Sequence, residues 1–330
     1  MAGVIWVKYL FQGISGVMCQ IAKHDGWMKR YNPESMDRKH IAAYFEVTFA
    51  VIVWGVSFIA TKLALRDLSP VTVVWLRFAI GVIILGIATG FRHQFSLPKK
   101  QEWIYFALLG FLGITFHQWL QSTGLLTVQA STTAWIVATT PVFIAILSRL
   151  FLHEKLAWLQ ISGIFLAAVG VLLVVSKGNI TGLFSGHFGT PGDILIMISA
   201  PNWAVFSILS SRGLKKYQAT QMMFFVMAIG WLFTSIIFFT SGGFNDISHL
   251  TWTSLMGVGF LGIFCSGLAY IAWYDGLQAL PASQIGAFLY IEPLVAVIVA
   301  WAILGEGILL ITLAGGAIIL LGVRLVQKNQ

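Results

Sequence analysis

Charge is what this 330-residue chain has least of: Asp, Glu, Lys and Arg together make up only 10% of it, while 58% of its residues are apolar. A water-facing surface carries roughly 25% charged residues, so a soluble domain, and any catalytic machinery it would house, is excluded. Cysteine is nearly absent. Cys19 lies in an N-terminal stretch and Cys265 inside an apolar segment, so neither a disulfide framework nor a thiolate metal site is in view. The seven histidines are scattered singly, without H-x-x-H or H-E-x-x-H spacing, and metal hydrolysis loses its support. The chain also lacks a GxxxxGK[ST] phosphate loop, which excludes direct drive by ATP within it. No cofactor and no metal is implied.

What is there is apolar sequence in long runs. About 20 mostly apolar residues cross a bilayer as a helix, and ten such segments can be drawn: 41–63, 70–91, 103–125, 131–152, 157–176, 192–211, 219–241, 254–277, 282–304 and 308–326. Backbone in lipid must satisfy its own hydrogen bonds, and the alternating ten-residue strands of a membrane barrel are missing. The expected fold class is therefore an all-α integral membrane bundle of ten transmembrane helices. Residues 1–40 stand outside this pattern, because GVIWVKYLFQGISGVMCQIA is interrupted by Lys8, Gln12 and Gln20. A signal peptide fits poorly, since Lys8 breaks its apolar core, and an eleventh helix is the alternative to an extension upstream of a start at Met36.

The net charge of +8 would raise nucleic acid as a partner in a soluble chain. In a membrane chain it sets topology instead. With the segment before the first span inside, the inner side receives Arg38, Lys39, Arg92, Lys99, Lys100, Arg149, Lys155, Arg212, Lys215, Lys216, Arg324 and Lys328, and the outer side only Lys62, Arg66 and Lys177. Both termini are thus expected in the cytoplasm, with the lipid bilayer as partner and no nucleic acid. The oligomeric state is not legible.

The two halves repeat one another. Ala130, Ser131, Pro141 and Glu154 recur as Ala282, Ser283, Pro293 and Glu306, and Gly163 and Gly170 as Gly315 and Gly322, all 152 residues on. Upstream, Gly-Phe-Leu-Gly-Ile at 110–114 recurs at 259–263, and Trp54 recurs as Trp203, at a spacing of 149. The expected organisation is a first copy over 41–176, an external linker over 177–191 and a second copy over 192–327. Each copy holds five spans, an odd number, so the second enters the membrane upside down. Inverted copies give two nearly equivalent conformations open to opposite sides, the basis of alternating access.

These residues resemble the EamA-type, ten-helix members of the drug/metabolite transporter superfamily. The resemblance is carried by WGVSFIATK at 54–62, Pro70 with Arg77, Pro141 through Glu154, GDILIMISAPNWAVFSILSSRGL at 192–214 and IEPLVAVIVAWAILGEG at 291–307, and it covers roughly 41–327. It implies transport, often export, of small metabolites such as amino acids through a central cavity between the copies, with Arg77 at a recurrent family position.

Ionisable groups inside a bilayer cost about 2.5 to 3.5 kcal/mol each on insertion scales, so Glu46, Arg77, His117 and Glu292 are singled out. Glu46 lies near the inner edge, where a carboxylate can snorkel to the interface, and its depth rules out a direct pair with Arg77. Arg77 reads as a structural or gating tie. Glu292 falls near mid-depth directly before Pro293, which removes a backbone donor and frees a carbonyl. A proton-coupling role, binding of a substrate amine, and helix packing all stay open for it. Pro141 and Pro293 read as paired hinges or as packing adaptations. His117, Gln118 and Gln121 occupy about one turn and should face a cavity or another helix. Trp54, Asn202, Trp203, Tyr270, Tyr274 and Tyr290 are candidates for an aromatic-rich pocket, with core packing the alternative. Asp275 reads as solvated, and Glu154 and Glu306 as fold or gate elements at opposite surfaces.

The leading expectation is a secondary-type transporter, an exporter or facilitator of small polar metabolites in a bacterial inner membrane, and not an enzyme. A membrane-embedded enzyme on lipid-linked substrates and a non-transporting scaffold or sensor are the alternatives; the clustered acids or histidines the former needs are missing. Sequencing the N-terminus of the purified protein is expected to read from Met36, and a mature end near Ala2 would refute that start.

Overall fold

The computed structural model describes residues 38–151, 157–179, 189–280 and 288–327. The chain divides into two compact units, 1–42 and 43–330, and of the first only the opening of a helix is described. The segment 1–35, Met36, Glu154 and the middle of the linker lie outside the described residues.

Among the described residues every regular element is helical. The helices are α1 (Arg38–Ala64), α2 (Pro70–Phe91), α3 (Lys100–Gly124), α4 (Ala130–Val137, resumed as Thr140–Phe151), α5 (Trp158–Ser176), α6 (Pro191–Leu214), α7 (Ala219–Thr240), α8 (Trp252–Ala279), α9 (Ile291–Leu304) and α10 (Leu310–Gln327). Nine of these are long and apolar enough to cross a membrane, and α9 is a shorter apolar helix. The architecture is that of a ten-helix membrane protein in two inverted five-helix repeats, α1–α5 and α6–α10. Span ends agree with the hydropathy reading to within a few residues except at α9, where 281–287 lie outside the described residues.

Local chemistry starts the helices. Ser69 caps α2 ahead of Pro70, and Thr190 caps α6 ahead of Pro191; in each case the missing proline N–H is one that a first turn leaves unpaired anyway. Asp193 completes a capping box by accepting from the Thr190 N–H at 2.7 Å. Side chains from the other half reach the same start of α2 and the connection that follows it. Asp246 accepts from Thr72 Oγ1 at 2.6 Å and from the Ser69 N–H at 3.0 Å. Gln221, 149 residues after Thr72, donates to the Ser96 carbonyl at 2.5 Å. The repeat spacing is thus written into contacts at both faces of the bundle.

Between the helices, lipid supplies no hydrophobic drive, and close van der Waals approach takes its place. α5 and α10 cross on two glycine pairs. A Cβ added to Gly163 would stand 2.6 Å from the Gly322 carbonyl oxygen, and one added to Gly170 would stand 2.7 Å from that of Gly315. The two crossings exchange under the 152-residue repeat. α3 meets α7 the same way, with a Cβ on Gly110 falling 2.7 Å from the Gly230 nitrogen. α2 and α7 add an aromatic stack of Trp75 on Phe238 at 4.2 Å, with Trp75 donating to Ser235 and Trp231 to the Trp75 carbonyl.

Because neighbouring backbone, rather than a flexible side chain, meets the added methyl, Gly170→Ala is expected to lower stability by about 1 to 3 kcal/mol through overpacking. Gly259→Ala, whose Cβ meets nothing within 4 Å, is expected to be neutral. Thermal unfolding of both variants in detergent checks this; equal midpoints would refute it.

Candidate functional site

Turns interrupt the bundle at nearly matching places of the two copies. α4 turns at 138–139 before resuming at Thr140, and a turn at 289–290 precedes α9. The 152-residue spacing carries 138–139 onto 290–291, one residue from the second turn, and Pro141 and Pro293 follow. A proline this close to a helix start costs no hydrogen bond, so the prolines mark where each helix begins again rather than bending a continuous one. Hydroxyls cover the carbonyls the first break exposes: Thr139 Oγ1 donates to Ile136 at 2.6 Å and Thr140 Oγ1 to Val137 at 2.8 Å.

Glu292 takes the place of Thr140 in the second copy and lies in the first turn of α9, where the positive end of the helix dipole favours a carboxylate. The residue is half-buried. Its carbonyl oxygen packs against Gly55 of α1, 2.7 Å from where a Cβ would be, so α1 and α9 touch backbone to backbone beside this acid. Tyr290 stands apart from Trp54 and Trp203: it packs against a cluster that holds Trp135 of α4 and residues of α10, and donates to Gln327 Oε1 at 2.5 Å.

A second pair of irregularities lies in α3 and α8. Both contain widened, i→i+5 turns, at Phe111–Phe116 and Leu261–Leu268, and the repeated Gly-Phe-Leu-Gly-Ile segments run into both. Such turns concentrate at functional sites because they leave carbonyls off the regular ladder. Side chains from the repeat-related helices reach these carbonyls. Trp54 of α1 donates to the Cys265 carbonyl at 3.2 Å, and Asn202 of α6 to that of Leu112 at 2.9 Å. Trp54 also meets Tyr270 at 5.7 Å and Trp273 at 5.1 Å, with Tyr274 stacked on Tyr270. Trp203 lies 4.6 Å from the ring of His117. One aromatic core therefore holds Trp54, Trp203, Tyr270 and Tyr274.

Arg77 joins the widened turn of α8 to the regular helix just after that of α3. It donates from Nε to Ser266 of α8 at 3.0 Å and from Nη1 to Gln118 of α3 at 3.1 Å. The guanidinium is buried, and no carboxylate lies within ion-pairing distance of it among the described residues. Ser266 and His117 are 149 residues apart, so Arg77 ties the second copy at the position corresponding to His117 in the first. His117 Nδ1 is buried with no hydrogen-bond partner among the described residues, and Gln121 is half-buried one turn on.

The ends of the bundle carry ion pairs. At one face Glu306 accepts from the Ala130 N–H at 2.7 Å, the Ser131 N–H at 3.1 Å and the Ser131 hydroxyl at 2.7 Å, with Lys62 at 3.9 Å. One carboxylate thereby ties the end of α9 to the starts of α4's backbone ladder and to the end of α1. At the opposite face Arg92 makes a two-point pair with Asp275, at 2.7 and 2.6 Å, and reaches Thr220 at 2.9 Å. Asp275 is thus engaged rather than merely solvated, and its hydrogen bonds raise the Arg92 guanidinium above its ordinary pKa. Glu46 lies in the field of this pair.

Ten apolar helices in two inverted copies, with turns at nearly equivalent places, define a membrane transporter of the drug/metabolite kind. The chain belongs to the EamA-like transporter family, which it matches over residues 42–176 and again over 190–327. It is 27% identical to an uncharacterized transporter of Archaeoglobus fulgidus over 86% of this chain and 96% of that protein. It is 27% identical to the Bacillus subtilis uncharacterized transporter YvbV over 86% and 91%, and 25% identical to a probable terminal-alkyne amino-acid exporter of Streptantibioticus cattleyicolor over 87% and 94%. A solved crystal structure, 18% identical in sequence, shares the fold with a TM-score of 0.59 over 86% of this chain and 96% of its own.

Sequence reasoning missed Ser266, Trp273 and the Arg92–Asp275 pair. The repeated Gly-Phe-Leu-Gly-Ile segment marked the widened turns without revealing their geometry. Glu306→Ala strips the start of α4 of its acceptor and is expected to cost about 1 to 2 kcal/mol, whereas Glu306→Gln keeps an acceptor oxygen and should lose less. Unfolding midpoints in detergent read the difference; equal losses would remove the capping role.

Proposed function

We propose that the chain is a secondary-type transporter that exports, or equilibrates, small polar metabolites of the amino-acid class by alternating access. The observation that carries this is the pair of turns at nearly repeat-related positions, one inside α4 and one just before α9, with Glu292 in the first turn after the second. Discontinuous helices at the interface of inverted copies offer half-helix ends to a polar solute at mid-depth. Copies over 41–176 and 192–327, joined by an external linker over 177–191, would rock reciprocally, with Pro141 and Pro293 at the hinges. Opening to one side breaks the Glu306 tie, and opening to the other breaks Arg92–Asp275.

Glu292 is the coupling group or the partner of a substrate amine. Trp54, His117, Gln118, Gln121, Asn202, Trp203, Tyr274 and Tyr290 line the path or shape it, and Arg77 holds α3 to α8 while they move. The amino-acid exporter among the relatives supports a substrate that bears an amine. The charge asymmetry of the loops supports cytoplasmic termini, and the bacterial relatives support a bacterial inner membrane.

Uptake of a panel of radiolabelled amino acids into proteoliposomes, with and without an imposed pH gradient, tests this. The expected result is gradient-dependent uptake that falls at least tenfold in Glu292→Gln. Uptake indifferent to both gradient and substitution would leave a facilitator with a structural Glu292; no uptake of any compound would overturn the amino-acid reading.

A further inference from the structure

A cleft of about 430 Å³ opens at the face of the bundle that carries the Arg92–Asp275 pair, and the transport reading makes no use of it. Its walls are Ser96 and Lys99, from the connection between α2 and α3, with Lys215, Lys216 and Gln218 from the turn between α6 and α7, and Gln278 from the end of α8. Loops of both halves therefore meet around one concave site lined by ammonium, amide and hydroxyl groups. Lys216 is already paired with Glu102, which also accepts from Tyr217. Neither the Lys99 nor the Lys215 ammonium has a carboxylate within 4 Å among the described residues, and the Lys99 backbone N–H donates to Glu102 at 3.3 Å. The cleft thus holds two ammonium groups that make no ion pair among the described residues, with Glu102 committed to Lys216, Tyr217 and the Lys99 backbone.

Depth indicates the source of that charge. The lining residues adjoin the start of α3 at Lys100, the end of α6 at Leu214, the start of α7 at Ala219 and the end of α8 at Ala279. Four span ends at one level mark the boundary between hydrocarbon and water, the level of lipid headgroups. Leu97 also lines the cleft and is 69% exposed, an apolar rim suited to an acyl chain. Solvated lysines spread over a face would serve topology alone; lysines gathered with amide donors in a cleft can also hold a phosphate.

We propose that this cleft binds the phosphate group of an anionic phospholipid. Lys99 and Lys215 supply the charge, and the amides of Gln218 and Gln278 are donors to its oxygens. A headgroup so held would bridge the α2–α3 connection of one half to the α6–α7 turn of the other, at the face that must open and close during transport.

The full chain, purified in a neutral detergent, would be titrated with phosphatidylglycerol, phosphatidylcholine and inorganic phosphate, and bound ligand counted by native mass spectrometry. Phosphatidylglycerol is expected to bind at least fivefold more tightly than phosphatidylcholine. A juxtamembrane lysine is worth roughly fivefold in affinity for anionic lipid, so Lys99→Gln and Lys215→Gln should each weaken phosphatidylglycerol by about that factor. Lys100→Gln removes the same charge one residue outside the cleft and should weaken it less than twofold. Equal losses in all three variants, or equal binding of the two lipids, would overturn the proposal. Displacement of phosphatidylglycerol by millimolar inorganic phosphate would keep the phosphate site and reassign its occupant to a soluble anion.

Discussion

In a bilayer no water is available to pair a stray N–H or C=O, and this constraint organises the whole molecule. It makes every described span a helix, and it makes each departure from regular helix conspicuous. Where α4 breaks, Thr139 and Thr140 turn their hydroxyls back onto Ile136 and Val137. Where α3 and α8 widen, Asn202 and Trp54 cross from neighbouring helices to the freed carbonyls. Polar side chains of the bundle interior thus meet irregular backbone, and α3 and α8 widen where the two copies correspond, while the widened turn at Ala300–Leu304 of α9 falls on regular helix at 148–151 in the other copy.

Helix contact follows from the same solvent. With lipid as apolar as leucine, helices gain from approaching closely, and only residues without a side chain allow it. The glycine crossings of α5 with α10 are the clearest instance, since each exchanges with the other under the repeat. The inverted copies are consequently locked where α5 and α10 cross, while a turn interrupts α4 and another precedes α9. Rigid and breakable regions occur in the same fold. Arg77 stands between them, a buried cation held by neutral oxygens of Gln118 and Ser266 rather than by an acid, which lets it link two helices without fixing a counter-ion in the core.

Much of this was legible in the residues. Apolar run length gave ten spans, the paired Pro141 and Pro293 marked the breaks, and the recurring Gly163, Gly170, Gly315 and Gly322 marked the tightest crossing. Glu292 and Arg77 were visible because a charge inside an apolar run is rare and costly. The widened turns were not legible, because an i→i+5 ladder uses the same residues as an i→i+4 ladder and carries no composition of its own. Nor was the turning of Tyr290 toward α10, since neighbours in three dimensions decide which way an aromatic ring with a polar tip points.

The sequence by itself determined that the protein is a ten-span helical bundle in two inverted copies, because hydrophobic length and an odd number of spans per copy are properties read along one dimension. Tertiary structure alone decided which ends are latched. Asp275 is 183 positions from Arg92 and Glu306 is 175 from Ser131, and no local pattern announces a partner at such separations. Those pairings exist because inversion brings helix ends of opposite copies to the same membrane face, where a carboxylate finds a guanidinium or the unpaired amides of a helix start.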